Sequence, residues 1–182
     1  MGQYYKAIIL GEEQVNTEEI IRFFLEASFG SGMKLTEHSY IDEPFVNTFE
    51  FLLTKEGMFY KSRVVWAGDY ADNEKNMDKN LYHIVNHLDD KTFAVKVKET
   101  KQYQYIINHT KKQYVDKKKE KIFHPLPLLT AEGNGRGGGD YRGEKENLIG
   151  IWARDVFSVE KDKPEGYEEL VCGFSDDMDT GY

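Results

Sequence analysis

The residues of this 182-residue chain that could do chemistry are five histidines, one cysteine, a carboxylate pair and a glycine-rich run. His83 and His87 have the His-x-x-x-His spacing that sets two imidazoles on one helix face, where Asp89 or Asp90 would be a third ligand for a divalent metal. Ile84 stands where a zinc-protease helix carries its glutamate, so an ordinary helix surface is expected and no metal is assigned. A hydrolytic site for a nucleotide or phosphoester, with or without a metal, is conceivable from His38, Asp69, His109, His124 and Asp140, because carboxylates beside imidazoles run acid–base chemistry or hold metals. Asp72, three residues after Asp69, belongs to the same group. Asn108-His109-Thr110 lacks the spacing and the second copy of a two-histidine phosphoesterase.

The run from Gly133 to Asp140 invites comparison with phosphate-cradling loops, with Asn134, Arg136 and Asp140 as ligand contacts. Gly-Lys-Ser/Thr does not follow, and Asp140-Tyr141 leads towards a strand, not into a helix. Turns of positive φ are the plainer expectation. Cys172 sits in an apolar run, which marks a buried thiol and not a nucleophile. With one cysteine, no intrachain disulfide can form, and a reducing, cytoplasmic setting follows.

The elements that must position these groups can be read from periodicity. Residues 3–10 alternate as a strand. Asn16 or Thr17 can cap a helix over Ile20, Ile21, Phe24 and Leu25 that stops at residues 30–32. Residues 43–53 predict a second helix, 62–66 a strand, and 76–88 a helical stretch. Strands are expected over 92–97, 103–108, 113–115, 148–159 and 169–174. No repeat appears. The reading is one α+β domain over 1–174, mainly an antiparallel sheet with two to three helices packed on one face, followed by an acidic tail at 175–182.

Charge is unevenly distributed. The net charge is −8, yet residues 91–121 carry 10 bases against 3 acids, while residues 1–90 carry 16 acids against 8 bases. An acidic surface repels nucleic-acid phosphates and is drawn to basic grooves, which favours a protein partner over direct duplex binding. The opening residues lack the long apolar stretch of a signal peptide or membrane span, so no membrane partner is expected.

The segments MGQYYKAIIL, KLTEHSYI, RVVWAGDYAD, YIINHTKKQYVD and HPLPLLTAEGNGRGGGDY resemble a protein family of phages and mobile elements of gut Firmicutes. That family includes an anti-CRISPR inhibitor of the type II-A RNA-guided nuclease. The resemblance covers most of the chain. It implies binding without catalysis and without a cofactor, in the host cytoplasm, with the nuclease as partner. Such a nuclease holds its guide–target duplex in a positive channel. Asp176, Asp177 and Asp179 are then expected to face that channel. Lys117, Lys118 and Lys119 break the pattern of a simple DNA mimic and are expected to contact guide RNA. The mobile-element phosphoesterase built on the histidines and aspartates above is the alternative.

Overall fold

The strand alternation read from residues 3–10 holds in β1 (Tyr4–Leu10), and β4 (Ser62–Gly68) pairs with it antiparallel along its length, Tyr5 opposite Gly68 and Leu10 opposite Arg63. A computed structural model of the chain describes residues 3–12, 20–25, 32–96, 98–135 and 137–175. Within it the remaining strands are β2 (Ile21–Leu25), β3 (Met33–Lys34), β5 (Tyr105–Asn108), β6 (Gln113–Asp116), β7 (Ala131–Glu132), β8 (Val156–Glu160) and β9 (Glu168–Glu169). Among the described residues they form one sheet in the order β2-β1-β4-β8-β5-β6-β9, with β3 also on β1 and β7 on β4. The β4–β7 and β6–β9 pairs are parallel and the others antiparallel.

Three short helices complete the α+β fold: α1 (Pro44–Leu52), α2 (Leu81–Ile84) and α3 (Pro125–Thr130). In β1 and β4 alternate side chains point to opposite faces, so each strand serves two cores. Tyr5, Ala7, Ile9, Val64 and Trp66 join Phe49 and Leu52 of α1 and Leu126, Leu128 and Leu129 of α3. Ile8, Leu10, Val65 and Ala67 turn to the other face and pack on Leu81 of α2 and on Val85. The two longer helices thus share one face. α1 is seated there by Phe49, whose ring meets Trp66 edge-on at 5.0 Å. It begins where Pro44, with φ already near the helical value and no N–H to leave unpaired, follows extended Glu43.

Several expectations are corrected. Ile20, Ile21, Phe24 and Leu25 do not share a helix: residues 21–25 are β2, an edge strand in which Phe23 faces the first core and Phe24 the second. Spacing of three and four residues suits a helix, but Ile-Arg-Phe-Phe-Leu is β-branched and aromatic, and β1 offers its open edge. The expected cap at Asn16 or Thr17 lies outside the described residues. In 76–88 only Leu81–Ile84 is α-helical, followed by one tight turn at Val85–His87, because Asn76 takes φ 63° and breaks the run. Residues 92–96 pair with no strand, and pairing in 169–174 stops at Glu169.

The long strand expected over 148–159 is mostly turn. Gly150 and Arg154 adopt left-handed φ of 77° and 68°, and only Val156–Glu160 is strand. The alternating apolar residues are buried all the same: Trp152 is fully buried, and the N–H groups of Gly150 and Trp152 donate to Leu128 and Leu129 carbonyls of α3 at 2.9 and 2.8 Å. α3 itself was not anticipated, since Pro125-Leu-Pro-Leu reads as a loop. Its prolines fall in the first turn, where no backbone N–H is needed.

The glycine-rich run closes over the start of β1. Tyr5 donates its hydroxyl to the Gly137 carbonyl, and Gly137 has φ 83° with so little room that a Cβ would lie 2.7 Å from the Gly133 nitrogen. Gly138 faces open space. Gly137→Ala is therefore expected to lower the unfolding free energy by about 1–3 kcal/mol. Gly138→Ala should stay within about 0.5 kcal/mol of the parent, as urea unfolding followed by circular dichroism will register.

Candidate functional site

In the apolar sequence of α1, Asn47 and Glu50 lie one turn apart, and both side chains are turned inward. Glu50 is fully buried. Its carboxylate accepts from the Lys117 ammonium at 2.7 and 3.1 Å and from His124 Nε2. The other histidine nitrogen, Nδ1, accepts the Leu126 N–H at 3.1 Å and so caps α3. Because Nδ1 must offer a lone pair there, the proton sits on Nε2 and points at Glu50. One carboxylate thereby ties α1 to the turn after β6 and to the start of α3.

Burial alone would push the Glu50 carboxyl up, but His124 and Lys117 outweigh it and hold the group well below the usual carboxylate range. Lys117 also donates to the Thr100 carbonyl at 3.3 Å, and the Thr100 hydroxyl donates to Asn47 Oδ1 at 3.3 Å. These groups floor a cavity of about 320 Å³ with Asp42, Lys101 and Lys118 at its wall. Glu120, on the same wall, takes the N–H groups of Cys172 and Gly173, both at 3.1 Å. Burial raises its carboxyl despite these two bonds. The polar groups of the cavity are largely spent on one another, which is the pattern of a framework joint.

The other sequence-predicted residues are dispersed. His38 meets Glu43 at 3.3 Å. Asp69 accepts the Tyr4 N–H at 3.0 Å, and Asp140 clamps Thr36 through its N–H and hydroxyl at 3.0 and 2.6 Å. Those two aspartates flank the Tyr5 hydroxyl, which burial and then their charge push upward. His109 stands in a separate cleft between β5 and β8, bonded to Ser158 and Tyr167. His38, Asp69, His109, His124 and Asp140 therefore do not converge. His83 and His87 are exposed, and among the described residues no group of three histidine, cysteine, aspartate or glutamate side chains can hold a metal. Cys172 is buried, as expected.

In the glycine run, the Asn134 N–H donates to Gln3 at 3.0 Å and Asp140 is committed to Thr36, so the run packs on β1 and β3. Arg136, Asp176, Asp177 and Asp179 lie outside the described residues. Of the three lysines, Lys117 is turned in on Glu50 with a side chain only 13% exposed, and Lys119 pairs with Glu169 at 2.7 Å. Lys118 stands exposed at the cavity wall.

Other lysines of the basic segment make contacts at the surface and stay exposed. Lys111 pairs with Asp155, Lys101 with Asp42 at 3.8 Å, and Lys98 lies over the Phe51 ring at 4.3 Å. Charges of both signs stand on the loop between β4 and α2. There Asn80, only 4% exposed, donates to the carbonyls of Asp69 and Ala71 at 2.9 and 3.0 Å and accepts the His83 N–H at 3.1 Å. Glu74 is drawn inward by Arg154, which Glu132 also holds. Asp72 and Asp78 are left on the outside of this pinned loop together with Lys75 and Lys79, Asp89 and Asp90 follow after α2, and the Tyr70 ring is 51% exposed.

Sequence reasoning missed Glu50, Asn47, Thr100 and Glu120. A single charge inside Phe-Val-Asn-Thr-Phe-Glu-Phe-Leu was the available signal, because a carboxylate on the apolar face of a helix needs a partner. No family model, curated protein or solved structure matches the chain.

The Glu50 joint has a definite pH signature. A carboxyl lowered on folding contributes stability that is complete above its ordinary value of 4.5 and is lost as pH falls through the lower folded value. Glu50→Gln removes that acid-side loss and strands the Lys117 ammonium. Stability at pH 7 should fall by about 3–5 kcal/mol. Urea titrations of both proteins at pH 7 and pH 3 test this, and a parallel pH dependence would refute the assignment.

Proposed function

We propose that the chain is an inhibitory binding protein that docks on a basic, nucleic-acid-handling surface of a type II-A RNA-guided nuclease. The observation that carries this reading is the net acidity of the pinned loop between β4 and α2 taken with the turn after α2, where residues 69–91 hold six acids against three bases. Asn80 and the Glu74–Arg154 pair hold its backbone from within while Asp72 and Asp78 project outward. An acidic surface whose shape is set before contact loses little conformational entropy on docking, and its charge raises the rate of encounter with a positive channel. The exposed Tyr70 ring beside these carboxylates suits an interface centre, where tyrosine is enriched.

In the basic segment, which argues against a simple duplex mimic, Lys117 is buried against Glu50, while Lys119, Lys111 and Lys101 pair with acids at the exposed surface. The segment therefore keeps exposed positive charge. Lys118 remains the lysine of the 117–119 run best placed to reach guide RNA. The identity of the partner rests on the sequence resemblance, and the acidic tail with Asp176, Asp177 and Asp179 would extend the same contact. The scattered histidines and aspartates, each committed to a separate structural bond, give the phosphoesterase alternative no common centre.

In cells carrying the type II-A nuclease and a matching plasmid target, expression of the protein should relieve plasmid interference. Asp72→Asn, Asp78→Asn, Asp89→Asn and Asp90→Asn combined should restore it while leaving the thermal midpoint within a few degrees of the parent. Capture of guide-loaded nuclease at low salt should weaken at least tenfold in that variant. Interference that continues unchanged in the presence of the parent protein would defeat the proposal.

A further inference from the structure

A chain of five polar side chains crosses the outer part of the sheet and ends in a cleft. Tyr60 donates its hydroxyl to Glu160 at 2.9 Å, and the Ser158 hydroxyl donates to the other Glu160 oxygen at 2.7 Å. Ser158, fully buried, has then spent its one proton, so its oxygen takes the Nε2–H of His109 at 2.7 Å. His109 Nδ1 is left as an acceptor, and the Tyr167 hydroxyl donates to it at 3.1 Å. The ionisations agree with this order. Burial and then Lys61 keep the His109 ring towards its neutral form, and the Ser158 and Tyr60 hydroxyls, with Lys55, hold Glu160 as carboxylate against the effect of burial. Burial and the bond to Glu160 push the Tyr60 phenol up to about 12, so it stays a donor.

The consequence is at the far end. Tyr167 has its proton directed at His109 and presents only lone pairs to a cleft of about 520 Å³, within the range of about 300–1,000 Å³ typical of small-ligand sites. The cleft therefore asks its occupant for a hydrogen-bond donor. Its walls carry Lys55, Lys161 and Lys163 interspersed with Glu56, Asp162 and Glu165. Counting Glu160, the two signs nearly balance, which gives no preference for a strongly charged ligand and many donors and acceptors for hydroxyl groups. Tyr167 adds a part-exposed aromatic ring, an amphipathic surface suited to a ligand with apolar ring faces and polar edges, while Tyr103 lies buried beneath Lys161.

We propose that this cleft, between β5, β8 and the loop at 161–167, binds a neutral polyhydroxylated ligand, a saccharide, with one hydroxyl donating to Tyr167. The Tyr167–His109–Ser158–Glu160 relay fixes that tyrosine as an acceptor. A ligand without a donor leaves the Tyr167 lone pairs unmatched, and the balanced charges of the walls give a phosphate ester no surplus of cations. This site is independent of the acidic loop and of the nuclease reading.

The test is a titration of the full chain with glucose, N-acetylglucosamine and maltose, with adenosine monophosphate as the charged comparator, following the histidine ring signals by NMR. At least one sugar should shift the His109 ring signals saturably and leave those of exposed His83 in place. Tyr167→Phe, which keeps the ring and removes the hydroxyl, should weaken that binding about tenfold, the worth of one hydrogen bond. Ser158→Ala, which breaks the relay one step behind, should weaken it as well, and amide spectra of both variants establish that they fold. Absence of any sugar response at His109, a response to adenosine monophosphate alone, or parental affinity in a folded Tyr167→Phe protein would each overturn the proposal.

Discussion

The fold depends on one carboxylate that has no contact with water. Glu50 lies on the face of α1 that should be apolar, and it is tolerable there only because Lys117 and His124 reach it from two other elements. Isolated burial of such a charge is prohibitive, so α1, the turn after β6 and the N-terminus of α3 have to meet if any of them is to pack. Hydrophobic residues alone would allow α1 to slide or rotate against Trp66. A charge with two directional partners specifies one position. The cost is that loss of Glu50 strands the Lys117 ammonium, and loss of Lys117 leaves the buried carboxylate without an opposite charge.

That interaction also shows how part of a basic segment is accommodated in an acidic protein. Charge in sequence and charge in space are different quantities. Residues 91–121 are strongly positive as a string, but Lys117, Lys111 and Lys119 lie beside Glu50, Asp155 and Glu169, which come from distant parts of the chain. Segregation along the sequence is reduced on that side, although most of these lysines stay exposed. On the loop after β4, exposed Asp72 and Asp78 alternate with exposed Lys75 and Lys79 while Glu74 turns in.

Much of the sheet was legible because its strands are governed by local alternation. β1, β4, β5, β6 and α1 fall close to where periodicity sets them. The failures have a common cause. Ile21–Leu25 and the stretch around Trp152 contain large apolar residues whose backbone partners are remote, the edge of β1 in one case and the carbonyls of α3 in the other. Spacing within a segment carries no trace of such partners. The left-handed residues Asn76 and Arg154, neither of them glycine, are equally silent in the sequence. For the candidate sites, residue type pointed to His124, Lys117 and His109, but what each does depends on Glu50, Ser158 and Tyr167, which spacing cannot bring near.

The order of strands bears on when this protein can fold as it leaves the ribosome. β1 and β4 emerge early, yet β4 finds its neighbour β8 only at Ser62 and Arg63 against Phe157 and Val156, and β7 joins it from residues 131–132. The groups that neutralise Glu50 also arrive late in synthesis. Until then the N-terminal strands have an unpaired edge and a solvated helix, and closing such distant pairings is slow. Completion of the sheet therefore waits until residues 156–169 have been made, and until then the open edge of the early strands is exposed to association.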